Sequence, residues 1–327
     1  MGILLATAAR RSAGETEMVG AVDAGTNAIR AAVARVQPGG GFELVERWRL
    51  PVRLGRGVFV DGAIGPATIA SAAAAFADIR DFFAGHRVGR YRAIGTAALR
   101  EATNRQEVIA AIRRSSGLEV EAISGTEEAM LVRGAVRRVF PPEVKPGLIA
   151  DLGGGSLEMF SLVDGAVDRA VVLPLGTVRT IETRGITGAI TGKAARALGR
   201  EAIFMLEDAF GMPPQLGEAP AVLCGGNARA LARLCPGPLE HGLPTVDLDA
   251  LSDIIDEMLF LDVPGRMEAY HVRRDRAEVM AVAAVVFVTL GDWLGIDSYI
   301  VPDVGVLDGM LGRLAAGPAR MAAAGLA

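Results

Sequence analysis

The stretch Asp151-Leu-Gly-Gly-Gly-Ser-Leu-Glu158 follows an apolar run that starts at Gly147, and alternating apolar runs follow it at 157–163 and 166–173. This reads as strand, Asp–Gly loop, strand, turn, strand, with Asp164-Gly165 as a tight hairpin turn. The pattern has already occurred once. Met18–Asp23 reads as a strand, Asp23-Ala-Gly-Thr-Asn27 as its loop, and Ala28–Val36 and Phe42–Arg49 as two more strands. Gln37-Pro-Gly-Gly-Gly41 makes the second turn. An internal repeat of this kind predicts duplicated α/β lobes facing each other across a cleft.

Between the two copies the pattern predicts helices at Pro66–Phe83, Glu101–Ser115 and Thr126–Phe140, the last capped by Thr126 or Ser124. Strands are expected at Arg90–Gly95 and Glu119–Ser124. Pro141-Pro-Glu-Val-Lys-Pro146 breaks every periodicity and marks the junction, giving lobes of 18–141 and 142–327. Beyond residue 173 the chain reads as helical apart from a strand at Ala221–Cys224, and the last helix is open to packing back on the first lobe. In the first 17 residues an apolar patch, Ile3–Ala9, precedes Arg10 and Arg11, the reverse of a secretory leader's order. They read as a frayed tail, or as a start assigned too early with Met18 the true beginning.

A length of 327 residues suits two lobes, and 51% apolar with 22% charged residues describes packed globular protein. The longest apolar stretch, Val279–Gly291, falls short of the about 18 residues of a membrane span and reads as a buried helix. Two cysteines, Cys224 and Cys235, make neither a disulfide framework nor a metal-ligand spacing. A cytoplasmic enzyme is expected, with neither membrane nor nucleic acid as a partner. The net charge of −4 is unevenly spread. Residues 18–140 hold 17 Arg or Lys against 12 Asp or Glu, while residues 141–327 hold 15 against 24. An arginine-rich first half suits a polyanionic substrate, because the guanidinium fork binds two phosphate oxygens at once.

Each repeated Asp stands at a strand end and is followed by small residues. At Gly25, and at Gly153, Gly154 and Gly155, missing side chains let backbone N–H groups approach a phosphate. Thr26, Asn27 and Ser156 add hydroxyl or amide contacts. A carboxylate beside phosphate needs an intervening cation, so Asp151 and Glu158 are candidate ligands of Mg²⁺, direct or through water. A third loop, Gly225-Gly226-Asn227, runs from a strand into a helix, a usual place for an anion. Thr96 and Arg100 lie one helical turn apart and can face one phosphate. Ser124-Gly-Thr-Glu127-Glu128 starts a helix with adjacent carboxylates, of which at most one is free for catalysis.

With these segments in order, the chain resembles the exopolyphosphatase/guanosine pentaphosphate phosphatase (Ppx/GppA) family, within the actin–Hsp70–sugar kinase (ribonuclease H-like) fold. The likeness runs from about Val19 to Leu311. It rests on Asp23–Arg30, Arg53-Leu-Gly, Thr96–Asn104, Ser124–Ala129, Asp151–Glu158, Leu173-Pro-Leu-Gly176 and Gly225-Gly226. The resemblance implies that Glu128 is the general base and that Asp151 and Glu158 belong to the Mg²⁺ or Mn²⁺ site. Thr26, Arg100, Gly154 and Ser156 would hold phosphate oxygens, and Arg53 would serve substrate binding. It implies hydrolysis of inorganic polyphosphate or of guanosine penta- or tetraphosphate, the alarmone nucleotides, and a homodimer. Ala28, Asn227, Pro302 and Leu307 depart from the family's serine, threonine, serine and arginine. No histidine is followed by aspartate, so the C-terminal His-Asp-type domain of longer members is not expected, and short polyphosphates are favoured. A non-catalytic alarmone or polyphosphate sensor, and a small-molecule kinase of the same fold, are the competing readings.

Overall fold

The structure, a computed structural model, describes residues 17–323, with side chains as far as Gly317. The reading of the N-terminal tail lies outside these residues. The chain forms two compact units, one of residues up to Ala135 together with those from Gly305 onward, the other of Val136–Val304. The Pro141–Pro146 segment lies a few residues inside the second unit.

In the first unit, β1 (Met18–Ala24), β2 (Ile29–Gln37) and β3 (Gly41–Leu50) form an antiparallel meander. A short α1 (Val58–Asp61) and α2 (Pro66–Gly85) precede β4 (Arg90–Gly95), which lies parallel to β1. Then come α3 (Ala97–Glu101), α4 (Arg105–Ser116), β5 (Glu121–Ala122) and α5 (Gly125–Val136). The sheet order is β3-β2-β1-β4-β5. Helix α2 has Pro66 in its first turn and buries Ile69, Ala72, Phe76, Ile79 and Phe83, the three-to-four spacing of one helix face.

The helix expected over 101–115 starts later, at Arg105, and a separate short helix, α3, ends at Glu101. Ala102 is extended (ψ 126), and Asn104 binds both the N–H and the C=O of Ile64 through its side-chain amide. Asn commonly competes with helical bonding in this way, and here a partner distant in sequence exploits it. Strand β5 is much shorter than the run that suggested it, and α5 stops at Val136 instead of continuing to Phe140.

The second unit repeats the plan. Strands β6 (Leu148–Leu152), β7 (Leu157–Val163) and β8 (Ala166–Leu173) form a meander, turned at Asp164 and Gly165, both with positive φ as an Asp-Gly hairpin turn requires. Helices α6 (Thr177–Thr183) and α7 (Gly192–Phe210) lead to β9 (Ala221–Cys224), parallel to β6, and to α8 (Gly225–Leu234). Two strands had not been expected, β10 (Thr245–Asp247) and β11 (Ser298–Ile300). Three residues are too few to show a period. Between them lie α9 (Leu248–Phe260), α10 (Val263–Tyr270) and α11 (Arg274–Leu294), and the sheet order is β10-β11-β9-β6-β7-β8. The order β8-β7-β6-β9-β11 thus matches β3-β2-β1-β4-β5.

Helix α11 contains the long apolar stretch and is the core helix of this unit, with Val279–Phe287 all buried. Among the described residues it is the one helix long and apolar enough to cross a membrane, and two-thirds of that window is buried within the protein. The last helix, α12 (Val306–Ala323), is interrupted at Gly317, whose backbone is not helical. It belongs to the first unit and packs on β1, β2, β3 and β4.

Candidate active site

In the first unit the cross-strand register sets Asp23 opposite Arg30, and Arg30 Nη1 donates to Asp23 Oδ2 at 3.0 Å. Asp23 Oδ1 is buried with no hydrogen-bond partner among the described residues. Burial holds this carboxyl above the usual aspartate range, against the opposing pull of Arg30. The loop beyond it is closed by Gly25 N donating to Ala28 O (3.1 Å). Thr26 is buried and its carbonyl accepts from Gly55 N (2.9 Å), while Arg53 Nε donates to Asn27 Oδ1 (3.0 Å).

Buried Thr96 follows β4, and its N–H donates to Ala24 O (3.3 Å). Its own carbonyl accepts from Arg100 N (2.9 Å). Arg100 Nη1 in turn donates to Ile123 O (3.0 Å) and lies 3.4 Å from Glu128 Oε2. The two adjacent acids of α5 have different partners. Glu127 faces Arg92 Nη2 at 2.6 Å, and Glu128 faces Arg100. Asp23, Gly25, Thr26, Asn27, Arg53, Thr96, Arg100 and Glu128 therefore share one bonded neighbourhood within this unit.

In the second unit Asp151 stands directly across from Glu158 in the β6–β7 ladder, so both carboxylates leave the same sheet face. This position in the first unit holds Asp23 and Arg30. Where one copy neutralises its aspartate with an arginine, the other sets a second acid beside it. Glu158 is buried and accepts from Ser156 Oγ. The glycine loop is fastened to α6: Thr177 N donates to Gly153 O (3.1 Å), Val178 N to Gly154 O (2.8 Å), and Arg179 Nε to Gly155 O (2.6 Å). In a planar trans peptide the C=O and the following N–H point oppositely. The N–H groups of Gly154, Gly155 and Ser156 therefore face away from α6, as a phosphate cradle requires.

Gly176 approaches this loop so closely that an added Cβ would lie 2.1 Å from the carbonyl carbon of Gly155. Gly225, at φ +89, likewise makes room for Asp151 Oδ1, 2.4 Å from where its Cβ would be. Asn227 spans the third loop, with Nδ2 donating to Leu152 O (3.1 Å) and Oδ1 accepting from Arg276 Nη1. Both ends of the Asn227 amide are thus engaged within the protein. Arg276 lies over Gly226. Asp151, Gly153, Gly154, Gly155, Ser156, Glu158, Gly225, Gly226 and Asn227 so form the second neighbourhood.

No group of three or more His, Cys, Asp or Glu side chains able to hold a metal occurs among the described residues. Two carboxylates and a serine hydroxyl are hard oxygen donors nonetheless. They suit Mg²⁺ or Mn²⁺, which keep much of their shell for water and phosphate. Both cysteines are buried, and burial pushes the Cys235 thiol up to about 11. Sequence reasoning had not singled out Arg30, Arg92, Arg179 or Arg276. For Arg30 a signal existed, since it follows Asp23 by the same seven residues that separate Glu158 from Asp151. The other three depend on contacts between distant segments.

Residues 32–316 match the model of the Ppx/GppA phosphatase family. A relative named exopolyphosphatase 2, from Mycobacterium tuberculosis, is 30% identical over 320 residues, covering 91% of this chain and 98% of its own. Among solved structures, an exopolyphosphatase from Cytophaga hutchinsonii superposes with a TM-score of 0.82 at 20% identity, over 91% of this chain and 98% of that one. The Aquifex aeolicus PPX-GPPA enzyme gives 0.74 at 22% identity, over 91% and 99%. These two likenesses concern the fold.

Proposed function

Because the chain belongs to the Ppx/GppA phosphatase family, we propose that it is a hydrolase that releases terminal phosphate from short inorganic polyphosphate, and from pppGpp, by attack of a water that Glu128 activates. The observation that carries this reading is the pairing of Glu128 with Arg100 on the first turn of α5, in the unit that also holds the Asp23–Asn27 loop. Support for polyphosphate comes from the mycobacterial relative's name, exopolyphosphatase.

Removal of a terminal phosphoryl group rests on positioning and on neutralising charge. Glu128 takes the proton of the attacking water. Among the described residues Arg100 makes its side-chain contacts through Nη1, which leaves Nε and Nη2 for phosphate oxygens. Thr26 and the loop N–H groups hold further oxygens, and in the second unit the N–H groups of Gly154, Gly155 and Ser156 do the same. Asp151 and Glu158 would hold Mg²⁺ or Mn²⁺, which when bound supplies positive charge against the phosphate oxygens.

The test is phosphate release from triphosphate, longer polyphosphate, pppGpp, ppGpp and ATP, with EDTA and with Mg²⁺ or Mn²⁺ added back. Glu128→Gln should lower kcat by about 10²- to 10⁴-fold, and wild-type turnover in that variant would remove Glu128 as the base. EDTA should abolish activity and either cation restore it. Asp151→Asn and Glu158→Gln should raise the cation concentration needed for half-maximal rate, and an unchanged requirement would dissociate these carboxylates from the metal.

A further inference from the structure

We propose that Arg92 is a positioning residue for Glu128, acting through Glu127; the inference rests on the assignment of Glu128 as the base. Arg92 sits on β4 with its side chain only 16% exposed. Its Nε donates to Glu121 Oε1 of β5 at 2.8 Å and its Nη2 to Glu127 Oε1 of α5 at 2.6 Å. One planar fork therefore ties a strand of the sheet to the short edge strand and to the first turn of the helix that carries Glu128.

Further along α5, Ala129, Leu131 and Val132 are buried and fix the body of the helix, and the Arg92–Glu127 pair adds a tie at its first turn. That turn opens on Gly125, which has no side chain to pack, and Ser124 caps it through Oγ to Glu127 N (3.1 Å). Adjacent helical residues diverge by about 100° around the axis. Fixing the Glu127 carboxylate against Arg92 thus helps set the direction in which Glu128 leaves. Arg100, on the other side, reaches Glu128 at 3.4 Å, a long contact. The two neighbouring glutamates therefore have separate tasks: one anchors the turn and the other is presented by it.

The test compares Arg92→Met, Arg92→Lys and Glu127→Gln in the full chain, with kcat and KM for triphosphate and the melting temperature of each. Misplacement of a base by an ångström lowers turnover by roughly 10- to 100-fold. Such a fall in kcat is expected for Arg92→Met and Glu127→Gln, with KM within about twofold, and Arg92→Lys should recover part of it. On a Glu128→Gln background, Arg92→Met should cause no further fall. A purely structural ion pair would instead lower the melting temperature and leave kcat per folded molecule unchanged. That result, or a full additional loss on the Glu128→Gln background, overturns the proposal. Should Arg92→Met fail to fold, Glu127→Gln, which keeps its shape, decides. Wild-type turnover by Glu128→Gln would show that the assignment of the base itself has failed, and the proposal would fall with it.

Discussion

Asp23 carries an ionisable group at odds with its surroundings. One oxygen accepts from Arg30, and the other is buried without a partner. Desolvation dominates, so the folded chain binds this proton more tightly than the unfolded chain does. Between the ordinary aspartate value and the raised one, folding retains a proton that the unfolded chain has released. Stability then falls as pH rises through that window. Asp23→Asn removes the penalty, and Arg30, a third exposed, keeps access to water. The variant should therefore gain stability relative to wild type as pH rises from about 4 toward neutrality. Denaturant melts across that range check this, and a gap independent of pH would show that Asp23 does not titrate abnormally.

Among the elements, α6 and the Gly153–Ser156 loop depend most on one another. Three carbonyls of the loop are held by α6, and the approach at Gly176 is closer than any side chain allows. Gly176→Ala must displace loop backbone, not a flexible side-chain end, and should cost about 1–3 kcal/mol. The displaced peptides are those proposed to cradle phosphate, so KM should rise more than the loss of folded protein explains. Calorimetry with steady-state kinetics measures both, and a variant with wild-type melting and KM would refute the coupling. A similar approach occurs in the first unit, where a Cβ at Gly309 of α12 would lie 2.1 Å from the Leu131 carbonyl oxygen of α5.

For the whole molecule, the C-terminal helix decides whether the first unit is complete. Leu307, Met310, Leu311 and Leu314 of α12 are buried there, each stabilising by about 1.5–3 kcal/mol as an upper estimate. Their sum is comparable to the about 5–15 kcal/mol that a domain retains. Asp308, also buried, is bonded to Arg47 of β3 and accepts from Gly305 N (2.9 Å). A chain ending at Val304 should therefore lose cooperative unfolding of the first unit while the second still melts. Two unchanged calorimetric transitions in the truncated protein would refute this dependence.

The duplicated strand–loop–strand pattern, the helix-start acids and the glycine loops were legible in the residues, because period, turn chemistry and capping act within a few positions of the chain. Asp151 and Glu158 could be paired on the same ground, since a hairpin's register follows from its short loop. Other features came only with the tertiary structure. The break between α3 and α4 depends on Ile64, and β10 and β11 take their extended form from strands far away in the sequence. The separation of Glu127 from Glu128 needs Arg92 and Arg100, which lie 35 and 28 residues upstream of their respective partners. Local propensity cannot anticipate such contacts, because each joins residues far apart in the sequence. The sequence by itself determined the duplicated strand–loop–strand pattern, the glycine loops and the adjacent acids that open α5; the tertiary placing of Arg92 on β4 and Arg100 on α3 decided which of those two glutamates meets which arginine.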